Sequence, residues 1–403
     1  MRRIAIYLLC IFMLLPVVTM TAQPGYNYSK LQREKLNRGV VAIRENPSEV
    51  IVSWRYLSSD PIQTGFNVYR DGKKLTDTPI TVSTLFRDKN NSQKTAVYEV
   101  RPVLKGKETH HIDGTYTFPE NAPLGYLEIP LQKPADGITP AGDTYTYSPN
   151  DASIGDVDGD GEYEIILKWD PSNSHDNAHE GYTGEVYIDC YRMNGEQLWR
   201  INLGKNIRAG AHYTQFMVYD LDGDGKAEVV MRTADGTVDE KGKVIGNADA
   251  DYREAGTFDP SRNQMMKQGR ILKGKEYLTV FSGDTGEALH TIDYIPARGN
   301  VADWGDAKGN RSDRFLACVA YLDGVHPSVV MCRGYYTRTV LAAFDWNGKE
   351  LKNRWVFDSN HPGCEQYAGQ GNHNLRVGDV DGDGCDEIIY GSCAIDHNGK
   401  GLY

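Results

Sequence analysis

Three stretches carry acidic side chains at one repeated spacing: Asp156-Val-Asp158-Gly-Asp160-Gly-Glu-Tyr-Glu164, Asp220-Leu-Asp222-Gly-Asp224-Gly-Lys-Ala-Glu228 and Asp379-Val-Asp381-Gly-Asp383-Gly-Cys-Asp-Glu387. Carboxylates at loop positions 1, 3, 5 and 9, with a backbone carbonyl at 7, offer the all-oxygen shell that a hard divalent cation such as Ca2+ takes. Glycines at 4 and 6 let the chain fold back tightly. The last carboxylate falls at 9, and each loop runs into an apolar segment, Ile165-Ile-Leu167, Val229-Val-Met231 or Ile388-Ile-Tyr390. Such a loop joins two strands and is not an EF-hand. A plain acidic turn without an ion is the alternative, and three copies with the same ligand spacing weigh against it. Ca2+ is therefore the expected cofactor.

A second set of residues points to anionic ligands. Alignment of the repeats on their last carboxylate puts Lys168 and Arg232 at one position, four residues past Glu164 and Glu228, with Arg333 near the corresponding place in a further repeat. Cations recurring at one end of equivalent strands are able to line a groove for an anion, the competing reading being scattered surface charge. His212, Tyr213, Arg208 and Arg298 are chemically able groups on loops, although a lone His beside a Tyr is more often structural.

The elements that must position these groups are short strands. From Val40 to about Phe118 the chain alternates through Val40–Ile43, Val50–Trp54, Phe66–Tyr69 and Val97–Val100, which predicts a small β-sandwich over 24–118 with Trp54 in its core. Pro119, Pro123, Pro130, Pro134 and Pro140 mark 119–144 as a linker laid over the surface, without regular elements. From 145 to 403 a repeat of roughly 60 residues emerges: acidic loop, buried strand, then a hairpin such as Tyr187–Trp199, with equivalents at Leu278–Leu289, Leu341–Leu351 and Ile395–Leu402. Four strands per unit read as a propeller blade. The unit around Asp323-Gly324 lacks the carboxylates and is expected to have lost its ion. The sequence stops inside its fourth hairpin, so a truncated propeller is expected, the alternative being a ring of four blades.

Arg2-Arg3, the apolar run Ile4–Val18 and Thr21-Ala22 read as a signal peptide over 1–22, too short to span a bilayer, so a secreted or periplasmic protein is expected. Its removal takes the formal charge from −11 to −13, and no basic stripe supports nucleic-acid binding. Six cysteines remain, Cys190, Cys318, Cys332, Cys364, Cys385 and Cys393, and no bridge is assigned among them.

The segments "YSPNDASIGDVDGDGEYEIILKWDPSNS", "LGKNIRAGAHYTQFMVYDLDGDGKAE", "PARGNVADWGD" and "AGQGNHNL" closely resemble the rhamnogalacturonan lyases of polysaccharide lyase family eleven, and the similarity runs from about Leu36 to Tyr403. "VSWRYLSSDPIQTGFNVYRDGKKL" likewise looks like a fibronectin type III strand pattern. The resemblance implies an all-β protein: a small fibronectin type III-like sandwich ahead of a calcium-stabilised β-propeller, eight-bladed in the family with about four blades here. It also implies β-elimination in the rhamnose–galacturonate backbone of pectin. Asn150 and Asp170 match the family's rhamnose contacts, with turn-capping and ion-ligation as their plainer roles, and His373 matches a metal-associated His. The family's proposed catalytic Lys and Arg belong to later blades, so the resemblance leaves the base unassigned. A monomer acting on rhamnogalacturonan, with no membrane or nucleic-acid partner, is expected. The alternatives are a non-catalytic pectin-binding or adhesion propeller, or an inactive fragment.

Overall fold

The computed structural model describes residues 30–109 and 114–403, so the expected leader over 1–22, with Cys10, lies outside the described residues. The architecture is all-β. Among the described residues the helical pieces are two 3-10 turns, Val301–Trp304 and Glu365–Tyr367, and no helix is long and apolar enough to cross a membrane.

Two sheets build the N-terminal unit. One holds Val41–Asn46, Glu49–Ser53 and Leu85–Lys89; the other centres on Gly65–Arg70 and Ala96–Leu104, with Thr115–Phe118 alongside. Period-2 alternation sends Val50 and Val52 inward, where they meet Phe66, Val68, Tyr98, Val100 and Phe118. Trp54 closes this core, its ring centroid 5.5 Å from that of Phe66 and only 5% of its surface exposed. It is a packing residue, as its strand context indicates.

The Pro-rich stretch is less irregular than its prolines imply. Gly137–Ile138 pairs with Thr144–Tyr145 around a turn whose Gly142 takes a φ of 90°. Leu131 packs on the cluster of Tyr147, Trp169 and Tyr191, and Arg200 donates to the Gln132 carbonyl at 2.5 Å. A proline cannot donate to a ladder, but the residues between prolines can.

Four antiparallel sheets follow in chain order. The first runs Tyr147–Gly155, Glu164–Pro171, Tyr187–Tyr191 and Gln197–Asn202; the second Phe216–Tyr219, Glu228–Ala234, Glu276–Ser282 and Ala288–Asp293. The third holds Phe315–Ala320, Ser328–Arg333, Val340–Trp346 and Leu351–Asp358, and the fourth Leu375–Gly378, Glu387–Tyr390 and Cys393–Ile395. Each is a meander, and the leading strands of successive sheets lie side by side. One feature escaped the repeat pattern: within the long insertion of the second sheet, Thr237–Val238 and Val244–Ile245 add onto the edge of the first, which thereby gains two strands.

Strands such as Glu228–Ala234 and Ser328–Arg333 are buried along their whole length, packed between neighbouring sheets. Where those sheets meet, an ionic knot adjoins the apolar cluster of Val230, Leu278, Phe315, Val329 and Met331. Glu276, at the head of its strand, accepts from Arg232 (2.9 Å) and Arg298 (2.6 Å) on one oxygen and from Arg333 (2.7 Å) on the other. Asp313 stands 3.4 Å from Arg298 and 3.6 Å from Arg333. Burial alone would raise the Glu276 pKa, but Arg298, Arg333 and Arg232 outweigh it and hold the carboxyl well below its ordinary range. Removal of the anion leaves three guanidinium groups crowded in the interior. Glu276→Ala is therefore expected to lower the unfolding free energy by about 3–5 kcal/mol, read by denaturant titration. A loss below about 1 kcal/mol would show that the knot carries little of the stability.

Candidate functional site

Each acidic loop is the turn between the first two strands of its sheet, and the three turns share one hydrogen-bond pattern. The carboxylate at position 1 accepts from both glycine amides: Asp156 from Gly159 and Gly161 (both 2.8 Å), Asp220 from Gly223 (2.7 Å) and Gly225 (3.0 Å), Asp379 from Gly382 (2.6 Å) and Gly384 (3.1 Å). Those six glycines have φ between 81° and 99°, a region that side chains with a Cβ avoid, which is why positions 4 and 6 must be glycine. Asp158, Asp222 and Asp381 accept from the amides of Asp160, Asp224 and Asp383, and these in turn accept from the amide two residues on. Glu164, Glu228 and Glu387 each use one oxygen to accept from the amide at position 2, at 3.0, 2.9 and 2.8 Å.

The oxygens left over point at one another. Asp156, Asp158 and Glu164 each bring a carboxylate oxygen within 4.8 Å of the other two, and so do Asp220, Asp222 and Glu228, and Asp379, Asp381 and Glu387. The Glu387 Oε1 is buried with no hydrogen-bond donor. Burial first, then mutual repulsion, pushes Glu164 up to about 7 and Glu228 up to about 8, and raises Glu387, Asp156 and Asp220 as well. A set of hard oxygen donors held this close fits a divalent cation such as Ca2+.

The third loop has an extra neighbour that the loop spacing alone does not reveal. His397, in the turn after Cys393–Ile395, sets its Nδ1 at 2.7 Å from Asp396, 3.3 Å from Asp383 and 3.9 Å from Glu387. The hairpin turn of the first sheet does the same with a cation, Arg192 lying 2.7 Å from Asp158. Turn residues facing the loop of their own sheet are the signal in hindsight. His373, expected beside a metal, belongs to none of the metal-holding groups among the described residues. It sits beyond the other end of Leu375–Gly378, its ring centroid 4.8 Å from that of Tyr335 and 5.1 Å from that of His212.

That opposite end is where Asn150 and Asp170, expected to contact sugar, meet. Because Ser148 pairs with Asp170 in the first hairpin, Asn150 and Asp170 come together at its far end from the acidic loop. With Asp151, Ser174, His175, Asp176, Gly210 and Ala211 they line a cavity of about 390 Å3. The buried Lys168 ammonium reaches Asp151 at 2.5 Å, while Asp170 Oδ1 is buried with no donor, and burial raises the Asp170 pKa against the pull of Lys168. His212 lies 3.8 Å from Asp176, which Arg314 also approaches at 3.4 Å.

Lys168 and Arg232, equivalent in the repeat, have different fates: Lys168 borders the cavity through Asp151, whereas Arg232 turns inward to Glu276. The difference lies in the partner, an exposed Asp151 in one sheet and a buried Glu276 in the other. Arg298 belongs to the same knot, and Arg208 is tied to Tyr213 (2.6 Å) and the His179 carbonyl (2.7 Å). Of the four loop candidates, His212 is the one whose side chain faces a cavity-lining carboxylate, that of Asp176. A larger cavity of about 560 Å3, between Leu31–Leu36, Arg55–Ser59 and Tyr219, lies away from these groups.

An all-β chain with acidic turns at one end of its sheets and a polar, sugar-sized cavity at the other matches known families along nearly its whole length. Residues 31–118 match the "Rhamnogalacturonan I lyases beta-sheet domain", and residues 126–403 match "Rhamnogalacturonan lyase family 11, C-terminal domain". The chain belongs to rhamnogalacturonan lyase family 11. It is 61% identical over 374 residues to the rhamnogalacturonan exolyase YesX of Bacillus subtilis (strain 168), and 57% identical over 372 residues to the rhamnogalacturonan endolyase YesW of that organism. These alignments take in 93% and 92% of the chain but 58% and 57% of the relatives, so the chain spans little more than half their length. The crystal structure of YesX superposes with a TM-score of 0.84 over 93% of this chain and 59% of that one, at 60% identity. The Bacillus licheniformis rhamnogalacturonan lyase gives 0.85 over 93% and 61%, at 61% identity.

The raised loop carboxylates predict a pH signature for the cation-free protein. A carboxyl whose folded pKa exceeds its unfolded value stabilises the fold fully below the unfolded value, and loses that contribution as pH rises through the folded one. With Glu164 at about 7 and Glu228 at about 8, the thermal midpoint of chelated protein should fall as pH rises from about 4.5 to about 8 and then level off. A midpoint that rises across that window would contradict the crowding of these groups.

Proposed function

We propose that the chain is the larger part of an exported, calcium-dependent rhamnogalacturonan lyase. The observation that carries this reading is the match to lyases at 57% and 61% identity, together with the joint placement of Asn150 and Asp170 in one cavity. The four meanders, with their leading strands side by side, are read as propeller blades, and the two-sheet unit as a fibronectin type III-like sandwich. The substrate is the alternating rhamnose–galacturonate backbone of pectin, taken by a monomer without membrane or nucleic-acid partners. Export rests on the leader-like residues 1–22.

On this reading Asp156, Asp158, Asp160 and Glu164, with their counterparts in the other two loops, hold Ca2+. The bound ion supplies the positive charge that lets the buried carboxylates stay ionised together. Asn150 and Asp170 hold the rhamnose. Cleavage removes the proton at C5 of the galacturonate and breaks the bond from C4 to O4, leaving a C4–C5 double bond on one product and a hydroxyl on the other. Among the residues that line the cavity, Asp151, Asp170, His175 and Asp176 are able to accept a proton, and His212 stands 3.8 Å from Asp176. A non-catalytic pectin-binding propeller or an inactive fragment is not favoured, since the close relatives are themselves lyases.

The test is the ultraviolet absorbance of the unsaturated uronide. The full-length, calcium-loaded protein should generate it from rhamnogalacturonan, and EDTA should abolish it. Asp170→Ala should raise KM about tenfold, the effect of one lost hydrogen bond of about 1.4 kcal/mol. Binding of the polysaccharide without any absorbance gain would replace the lyase reading with the pectin-binding one.

A further inference from the structure

Beyond the cavity, the trail of side chains continues from Asp176 through His212 and His373 to Tyr336 and Arg311. His373 lies 5.6 Å from the Tyr336 ring centroid, and the Arg311 guanidinium stands 5.1 Å above that ring. Tyr336 has a φ of 64°, in the left-handed region where a bulky side chain is strained, and the residue is 44% exposed. Its amide donates to the Gly371 carbonyl at 3.1 Å, which fixes the strained backbone in place. Strain held on an exposed aromatic ring is spent on presenting that ring.

Arg311 is set apart from its neighbours. Arg314 is saturated by the Asn310 carbonyl and side chain, Tyr335 and Asp176. Arg298 and Arg333 are spent on Glu276. The Arg311 backbone is anchored by its amide to Asp306 at 2.7 Å, yet among the described residues its guanidinium has no carboxylate partner. The cavity itself has the opposite character, for Asp151, Asp170 and Asp176 surround it. Lys168 is held by Asp151 and Arg314 by Asp176, so that rim leaves an anionic sugar no uncommitted cation and suits a neutral one.

We propose that Arg311 and Tyr336 form a subsite for the carboxylate-bearing sugar of an acidic polysaccharide, joined to the neutral-sugar cavity of Asn150 and Asp170 by the side chains of Asp176, His212 and His373. The Tyr336 ring takes the apolar face of the sugar, and the planar guanidinium pairs with its carboxylate in the two-pronged geometry that Lys cannot supply. A strand that alternates neutral and anionic sugars is thereby held in one register, since Arg311 offers the uronate a guanidinium that the cavity rim does not. The choice of rhamnogalacturonan as that polysaccharide rests on the proposed function; the preference for a carboxylate does not.

Calorimetry on the calcium-loaded chain tests this with a rhamnogalacturonan tetrasaccharide and the same tetrasaccharide with its carboxyls reduced to alcohols. The wild type should prefer the acidic form about tenfold, with the preference shrinking as salt is added. Arg311→Ala should erase the preference while leaving affinity for the reduced form unchanged, and Arg311→Lys should restore part of it. Tyr336→Gly should weaken both forms without lowering the thermal midpoint, because glycine accepts the backbone angle that Tyr336 tolerates under strain. Retention of the preference in Arg311→Ala overturns the proposal, as does a wild type that binds neither form or both equally. Loss of lyase activity alongside an intact preference refutes the proposed reaction and leaves the subsite standing.

Discussion

Crowded carboxylates govern this structure. In each of three turns the chain commits two glycines to left-handed angles so that an Asp can accept from both of their amides, and the remaining oxygens are left facing one another. Backbone amides neutralise only part of that charge. Burial first, and then the residual repulsion, raises Glu164 and Glu228 to about 7 and about 8, a condition that a divalent cation relieves. Because every such turn links the two leading strands of a sheet, whatever fills it also fixes the strands that form the far end of that sheet.

The far end is where the chemistry collects, and hairpin register is the reason. Ser148 opposite Asp170 places Asn150 within the same cavity, and His212, Arg314 and His373 all come just before the leading strands of the three later sheets. Residues far apart in sequence meet because those strands lie side by side, as with His212 and His373 at 5.1 Å. Beneath them the knot of Glu276 with Arg232, Arg298 and Arg333 joins the second and third sheets through charge. The molecule therefore separates its acidic turns, its ionic interior and its cavity rim along the strand direction.

The parts that were legible in the sequence are local. Spacing of aspartates and glycines marked the three turns, alternation marked Val50–Trp54 as a strand with Trp54 in the core, and the apolar run Ile165–Leu167 marked another strand. Close similarity pointed to Asn150 and Asp170, which the hairpin brings into one cavity. What stayed hidden depends on contacts across long separations. Nothing near Arg232 indicates that Glu276 will claim it, and the His-Asn-Gly turn that puts His397 beside Asp383 reads only as a hairpin end. His373 carries the opposite lesson, since its strand leads away from the acidic loop and leaves it among Tyr335, Tyr336 and His212. The two strands added to the first sheet come from an insertion with no repeat signature.

The most direct measurement is a count of tightly held calcium after exhaustive dialysis, in the wild type and in Asp156→Ala, Asp220→Ala and Asp379→Ala. The account predicts about three ions per chain, with one lost in each variant. A folded wild type that retains none, or variants whose losses do not follow the loops, would contradict it.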